Sequence, residues 1–145
     1  MRKHFGLVLM GVMTVAGQQR GAVTYTADQA ATGRAAYQAS CAGCHLPDLR
    51  GQNEAPQLAG ANFMTQWGGR TGRELVTFMQ AAMPPENPGS LGQQAYVNLA
   101  AFLLQANGAP AGNQPFTATT DVVIRSVATG RSPANLRQAG GQAGG

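Results

Sequence analysis

An all-α fold of about three main helices plus a short one, ending in an irregular tail, is what the sequence predicts, and three observations predict it. Three candidate helix starts pair a Ser or Thr with a Glu or Gln three positions later, ahead of an apolar run: Thr26 with Gln29, Thr71 with Glu74 and Ser90 with Gln93. That is capping-box spacing, in which a hydroxyl accepts from an unpaired first-turn amide and the longer side chain reaches back. Leu91, Ala95, Leu99 and Phe102 recur at helical intervals, with Tyr96, Leu103 and Leu104 widening the stripe. Before residue 115 no apolar alternation is strong enough for a sheet. A chain of 145 residues with 20 glycines and only 11% charged side chains suits one small helical domain with long irregular connections.

The first element is not part of that domain. Arg2, Lys3 and His4 precede the apolar run 5–16, the layout of a secretory signal peptide over residues 1–22. Cleavage finds small residues at Thr14 and Ala16, or at Val15 and Gly17; the alternative is an uncleaved amphipathic or membrane-anchoring N-terminus. The run is too short to span a bilayer comfortably. Removing 1–22 also removes Arg2, Lys3 and Arg20, leaving seven arginines, no lysine and six acids. A chain that near neutrality has no electrostatic footprint for nucleic acid, despite the sequence pI of about 9.7.

Within the domain, residues 23–112, the first helix runs from Thr26 to about Ser40 and a short one covers 62–67, ending at Gly68 and Gly69. The next runs from Thr71 to about Ala82, and the last covers Leu91 to about Ala106, stopped by Asn107 and Gly108. Two loops, 46–60 and 83–92, are stiffened by prolines at 47, 56, 84, 85 and 88. Residues 113–145 read as a low-complexity tail, disordered or partner-docking: "ATTDVVIRSVATG" offers one strand without a second, and Arg125, Arg131 and Arg137 face a single acid, Asp121.

The chemistry concentrates in "CAGCH", residues 41–45, which holds both cysteines. Cys-x-x-Cys-His is the attachment signature of c-type haem: two thioethers fix the porphyrin edge and the next residue turns its imidazole to the iron. A thioredoxin-like redox pair is a second reading, but such pairs sit near a βαβ unit, at a helix start. Structural zinc is a third, and wants four N or S ligands where the domain has one histidine. A plain disulfide leaves the adjacent histidine unexplained.

Beyond that motif the domain resembles a bacterial class I, monohaem cytochrome c. The resemblance covers about residues 24–112: Gly33 and Tyr37 in the first helix, "CAGCH", "PQLAG" at 56–60, "FMTQWGG" at 63–69, "MPPENPGSL" at 83–91 and "YVNLAAFLLQANG" at 96–108. It implies helices wrapped around one covalently attached haem, the first and last crossing near Gly33 and Tyr96. It also implies that Cys41 and Cys44 attach the haem, that His45 ligates its iron, and that the Pro56 carbonyl orients His45. Leu58, Leu99 and Leu103 then line the haem, and Trp67 packs beside it, within reach of a propionate. Asn62, Arg70 and Arg73 read as solvated surface more readily than as propionate partners.

The iron's other face decides between carrier and enzyme. Met64, Met79 and Met83 are the candidates for a sixth ligand. Met64 and Met79 hold helical positions typical of core filler. Met83 ends its helix before a proline-stiffened loop and resembles the family's distal methionine, a soft ligand that favours reduced iron. The resemblance thus implies a periplasmic one-electron carrier, monomeric when free, like the cytochromes that serve quinoprotein dehydrogenases or terminal oxidases. Without lysine, docking falls to uncharged and apolar contacts around the haem edge. The competing reading is a haem peroxidase or gas sensor with a labile or absent methionine; a third is a subunit that docks through its tail.

Overall fold

The computed structural model describes residues 25–134 and 136; the leader expected over 1–22 lies outside the described residues. Among the described residues six helices follow in order: α1 (Ala27–Ser40), α2 (Ala42–His45), α3 (Ala61–Trp67), α4 (Gly72–Ala82), α5 (Gln93–Ala106) and α6 (Ile124–Val127). Among the described residues there is no regular strand, only isolated bridges at Gln52–Ala55 and Thr71–Val123.

Two of the three capping boxes form as their spacing dictates. Thr26 and Gln29 exchange hydrogen bonds at 3.2 Å at the start of α1, and Thr71 and Glu74 do so at the start of α4. The third does not. α5 starts at Gly92 (φ 82°) without a side-chain cap, because Ser90 is held in a turn on Asn87 while Leu91 joins the wall of the central cavity.

Ten of the fourteen residues of α5 are buried, a wider face than the expected stripe, and this makes α5 the central helix. It packs most closely on α1. A Cβ on Gly33 would stand 1.8 Å from the Asn98 carbonyl oxygen, so only glycine lets the two backbones meet there. The crossing lies at Asn98, half a turn beyond the expected Tyr96.

The stretch after residue 112 is irregular, as expected, yet its described part is neither disordered nor detached. Val122 O and Thr120 O accept from the amides of Gly72 and Arg73, which a helix start leaves unpaired, and the amides of Ile124 and Arg125 donate to Arg70 O and Gly68 O. Phe116, 1% exposed, fills space that Gly72 leaves open, where a Cβ would come within 2.7 Å of its ring. Gln29 clasps the Phe116 backbone by two bonds of 2.8 Å. Burying a phenylalanine and Ile124 contributes about 1.5–3 kcal/mol each, which explains why this segment is fixed to the domain.

Candidate functional site

α1 ends where Cys41 N donates to Tyr37 O (2.8 Å), and α2 begins at once, with His45 N donating to Cys41 O (2.9 Å). One helical turn therefore sets Cys41, Cys44 and His45 at i, i+3 and i+4, on one face. The chain leaves this turn through Leu46 in a region normally reserved for glycine (φ 65°, ψ 153°), at a cost of order 1–3 kcal/mol. Its flanks hold it there: the Tyr37 hydroxyl donates to Leu46 O at 2.6 Å and Gly51 N to His45 O at 2.9 Å. Burial, with Cys41 and Asp48 nearby, raises the Tyr37 hydroxyl far above the ordinary phenol range, so it stays a donor.

His45 is 7% exposed. Its Nδ1 lies 2.9 Å from Pro56 O; donating there, it leaves Nε2 as the nitrogen for a metal. The ring opens onto an almost wholly apolar cavity of about 410 Å³, within the size range of cofactor sites.

That one cavity brings together Cys41, Cys44, His45, Pro56, Leu58, Trp67, Leu99, Leu103 and Met83. Met79 shares its wall as well as the core. Met64 does not: it packs between Gly68 and Gly130, as core filler. Asn62, Arg70 and Arg73 are also outside it. Asn62 donates to Gln57, Arg70 lies 5.0 Å from the Trp67 ring centre and Arg73 pairs with Asp121 at 3.1 Å.

Three residues have roles at the site that the sequence reading did not assign them. Tyr37 lines the cavity; its place one turn before Cys41 was the available signal. The Tyr96 hydroxyl donates to Met83 O at 2.6 Å, pinning the loop on the Met83 side. Asn107 joins Leu58 and Gly60 to the end of α5. Those last two contacts span many residues and leave no local trace.

The geometry discriminates among the readings of the cysteine motif. Burial pushes the Cys41 thiol up to about 11, the opposite of an activated redox thiol. Among the described residues no group of three or more His, Cys, Asp or Glu is arranged to hold a metal ion, which counts against structural zinc. Two thiols, one buried imidazole with an oriented ring and a large apolar cavity are the donor set of haem attachment. Residues 28–103, more than half of the chain, match the family model described as cytochrome c oxidase, cbb3-type, subunit III.

The chain belongs to this family. The cytochrome therefore takes a covalently attached c-type haem, and Cys41, Cys44 and His45 fit it. Its general function is haem-based electron transfer. Among solved structures, the sulfane dehydrogenase SoxCD from Paracoccus pantotrophus matches at 18% identity with a TM-score of 0.48, covering 89% of this chain and 70% of that one; a likeness so distant carries no functional argument. No curated protein sequence matches the cytochrome.

Proposed function

We propose that this cytochrome is a periplasmic one-electron carrier, not an enzyme, in which His45 and Met83 would ligate the haem iron. The observation that carries the reading is that Met83 lines the same cavity as His45 while its carbonyl is held by the buried Tyr96. The haem, when attached, supplies the Fe(III)/Fe(II) couple. The protein's own part is to hold still: Pro56 O keeps the imidazole oriented and basic, Tyr96 keeps the Met83 loop in place, and apolar side chains keep water out. Beside His45, the cavity wall contains no histidine or arginine among the described residues, so these offer little of what peroxide chemistry needs.

Export to the periplasm rests on the leader-like residues 1–22. Among the described residues no helix is long and apolar enough to cross a membrane. For partners, the family's name concerns a terminal oxidase and the "MPPENPGSL" block resembles cytochromes of quinoprotein dehydrogenases; delivery from such a dehydrogenase to such an oxidase is the path we favour. Phe78, 40% exposed, lines the cavity with Pro84 and Pro85 and gives an apolar docking rim without lysine.

The test is the optical spectrum of the matured protein, oxidised and reduced, with a pyridine assay for haem type and with added cyanide and carbon monoxide. A c-type spectrum with the weak sulfur-to-iron band, lost in Met83→Ala, is the expected result. Ready binding of carbon monoxide to the reduced wild type would sink the Met83 assignment and favour a sensor or enzyme.

A further inference from the structure

The loop that orients His45 is itself held by a residue at the far end of α5. Asn107 is fully buried, and its side chain uses both ends. Nδ2 donates to Leu58 O at 3.0 Å and to Leu103 O at 2.9 Å; Oδ1 accepts from Gly60 N at 2.9 Å. Its backbone carbonyl accepts from Thr129 N at 2.9 Å and Gly130 N at 2.8 Å. One residue thus ties three segments distant in sequence: the loop after His45, the last turn of α5 and the docked C-terminal stretch. Gly130 closes the stack, since a Cβ there would come within 2.8 Å of Met64 and 3.4 Å of Gly60 O.

Pro56, whose carbonyl faces His45 Nδ1, lies two residues before the first of these anchors. The loop is otherwise pinned near that point by Leu58 N on Leu49 O at 2.9 Å. A polar side chain as deeply buried as Asn107 is kept only when its groups are satisfied, and a satisfied network fixes one arrangement. We infer that Asn107 is a positioning residue for the haem: through Leu58 and Gly60 it sets where the Pro56 carbonyl stands, and so how strongly His45 Nδ1–H is held. The docked stretch at 129–130 backs it. This inference rests on the assignment of His45 to the iron.

A well-held Nδ1–H makes the imidazole a stronger electron donor and favours Fe(III). Loosening it therefore raises the reduction potential. The experiment compares holoprotein carrying Asn107→Ala with wild type and with Val76→Ala, a buried site in α4 that does not itself line the cavity. Two readings are taken: the potential, and exchange of the His45 Nδ1 proton with solvent in the reduced state by NMR. Asn107→Ala is expected to raise the potential and to speed that exchange about tenfold, beyond any change in Val76→Ala. If Asn107→Ala does not mature, Asn107→Ser, which keeps one hydrogen-bonding group, is expected to shift both readings the same way by less.

A variant that loses stability while both readings stay at wild-type values overturns the positioning role alone. A wild type whose iron is not bound by His45 overturns the ligand assignment, and this inference with it. The two failures are distinguishable because the second is visible before any mutation is made.

Discussion

Two loops frame the cavity, residues 46–60 after His45 and residues 83–92 after α4, and they are anchored very differently. The first is tied to other parts of the chain by Tyr37, by Asn107 and, through Asn107, by residues 129–130. The second leans on its own turns, Asn87 N to Pro84 O (3.0 Å) and Gly89 N to Met83 O (3.3 Å), and residues 85–90 are exposed. Beyond those turns, among the described residues, its hydrogen-bonded tie is Tyr96, through Met83 O and, more weakly, Leu91 N at 3.5 Å. A cytochrome built this way is expected to keep its histidine side rigid and to open first on the Met83 side. Local opening free energy follows the number and burial of such ties.

The largest effect tests the docking of the C-terminal stretch, whose residues 129–130 back the first loop through Asn107. Phe116→Ala should destabilise the holoprotein by about 3–5 kcal/mol in denaturant unfolding, while cyanide binding to the oxidised iron keeps its wild-type rate. A loss under about 1 kcal/mol would mean that the stretch after 112 is not integral to the domain.

A smaller effect tests the second loop. Tyr96→Phe removes one hydrogen bond to Met83 O, worth about 1 kcal/mol, and should speed cyanide binding about fivefold with little change in haem attachment. An unchanged rate would show that the prolines alone hold this loop, and the contrast between the two sides would fail.

The smallest effect concerns neither loop and serves as their reference. Hydrogen bonds from the Thr71 backbone and side chain hold the Glu74 carboxyl below its usual range. A lowered folded-state pKa contributes stability that is present above the unfolded value near 4.5 and is lost as pH falls through the folded value. Glu74→Gln should therefore melt slightly below wild type at neutral pH, and the difference should vanish in acid. A difference that persists at low pH would assign it to packing.

Much of the fold was legible because its signals are local. A capping box spans three residues, and so Thr26–Gln29 and Thr71–Glu74 could be read directly; the turn that aligns Cys41, Cys44 and His45 is equally short. Ser90 with Gln93 shows the limit. The same spacing is present there, but α5 starts later because Leu91 is taken up by the cavity wall. The segment from Phe116 to Ala128 was illegible for a related reason: its apolar residues have no period of their own and make sense only against the ends of α3 and α4.

By itself the sequence determined the all-α class, the helix starts whose caps form and the attachment chemistry of residues 41–45, since each depends on residues within one turn of one another. The tertiary structure decided which side chains share the cavity, that Met64 lies outside it while Met79 and Met83 line it, and that the C-terminal stretch closes the helix ends. It also decided that Asn107 and Tyr96 brace the two loops. Asn107 acts across 49 residues to Leu58 and Tyr96 across 13 to Met83, and contacts at such separations are set by how helices pack, which no local pattern encodes.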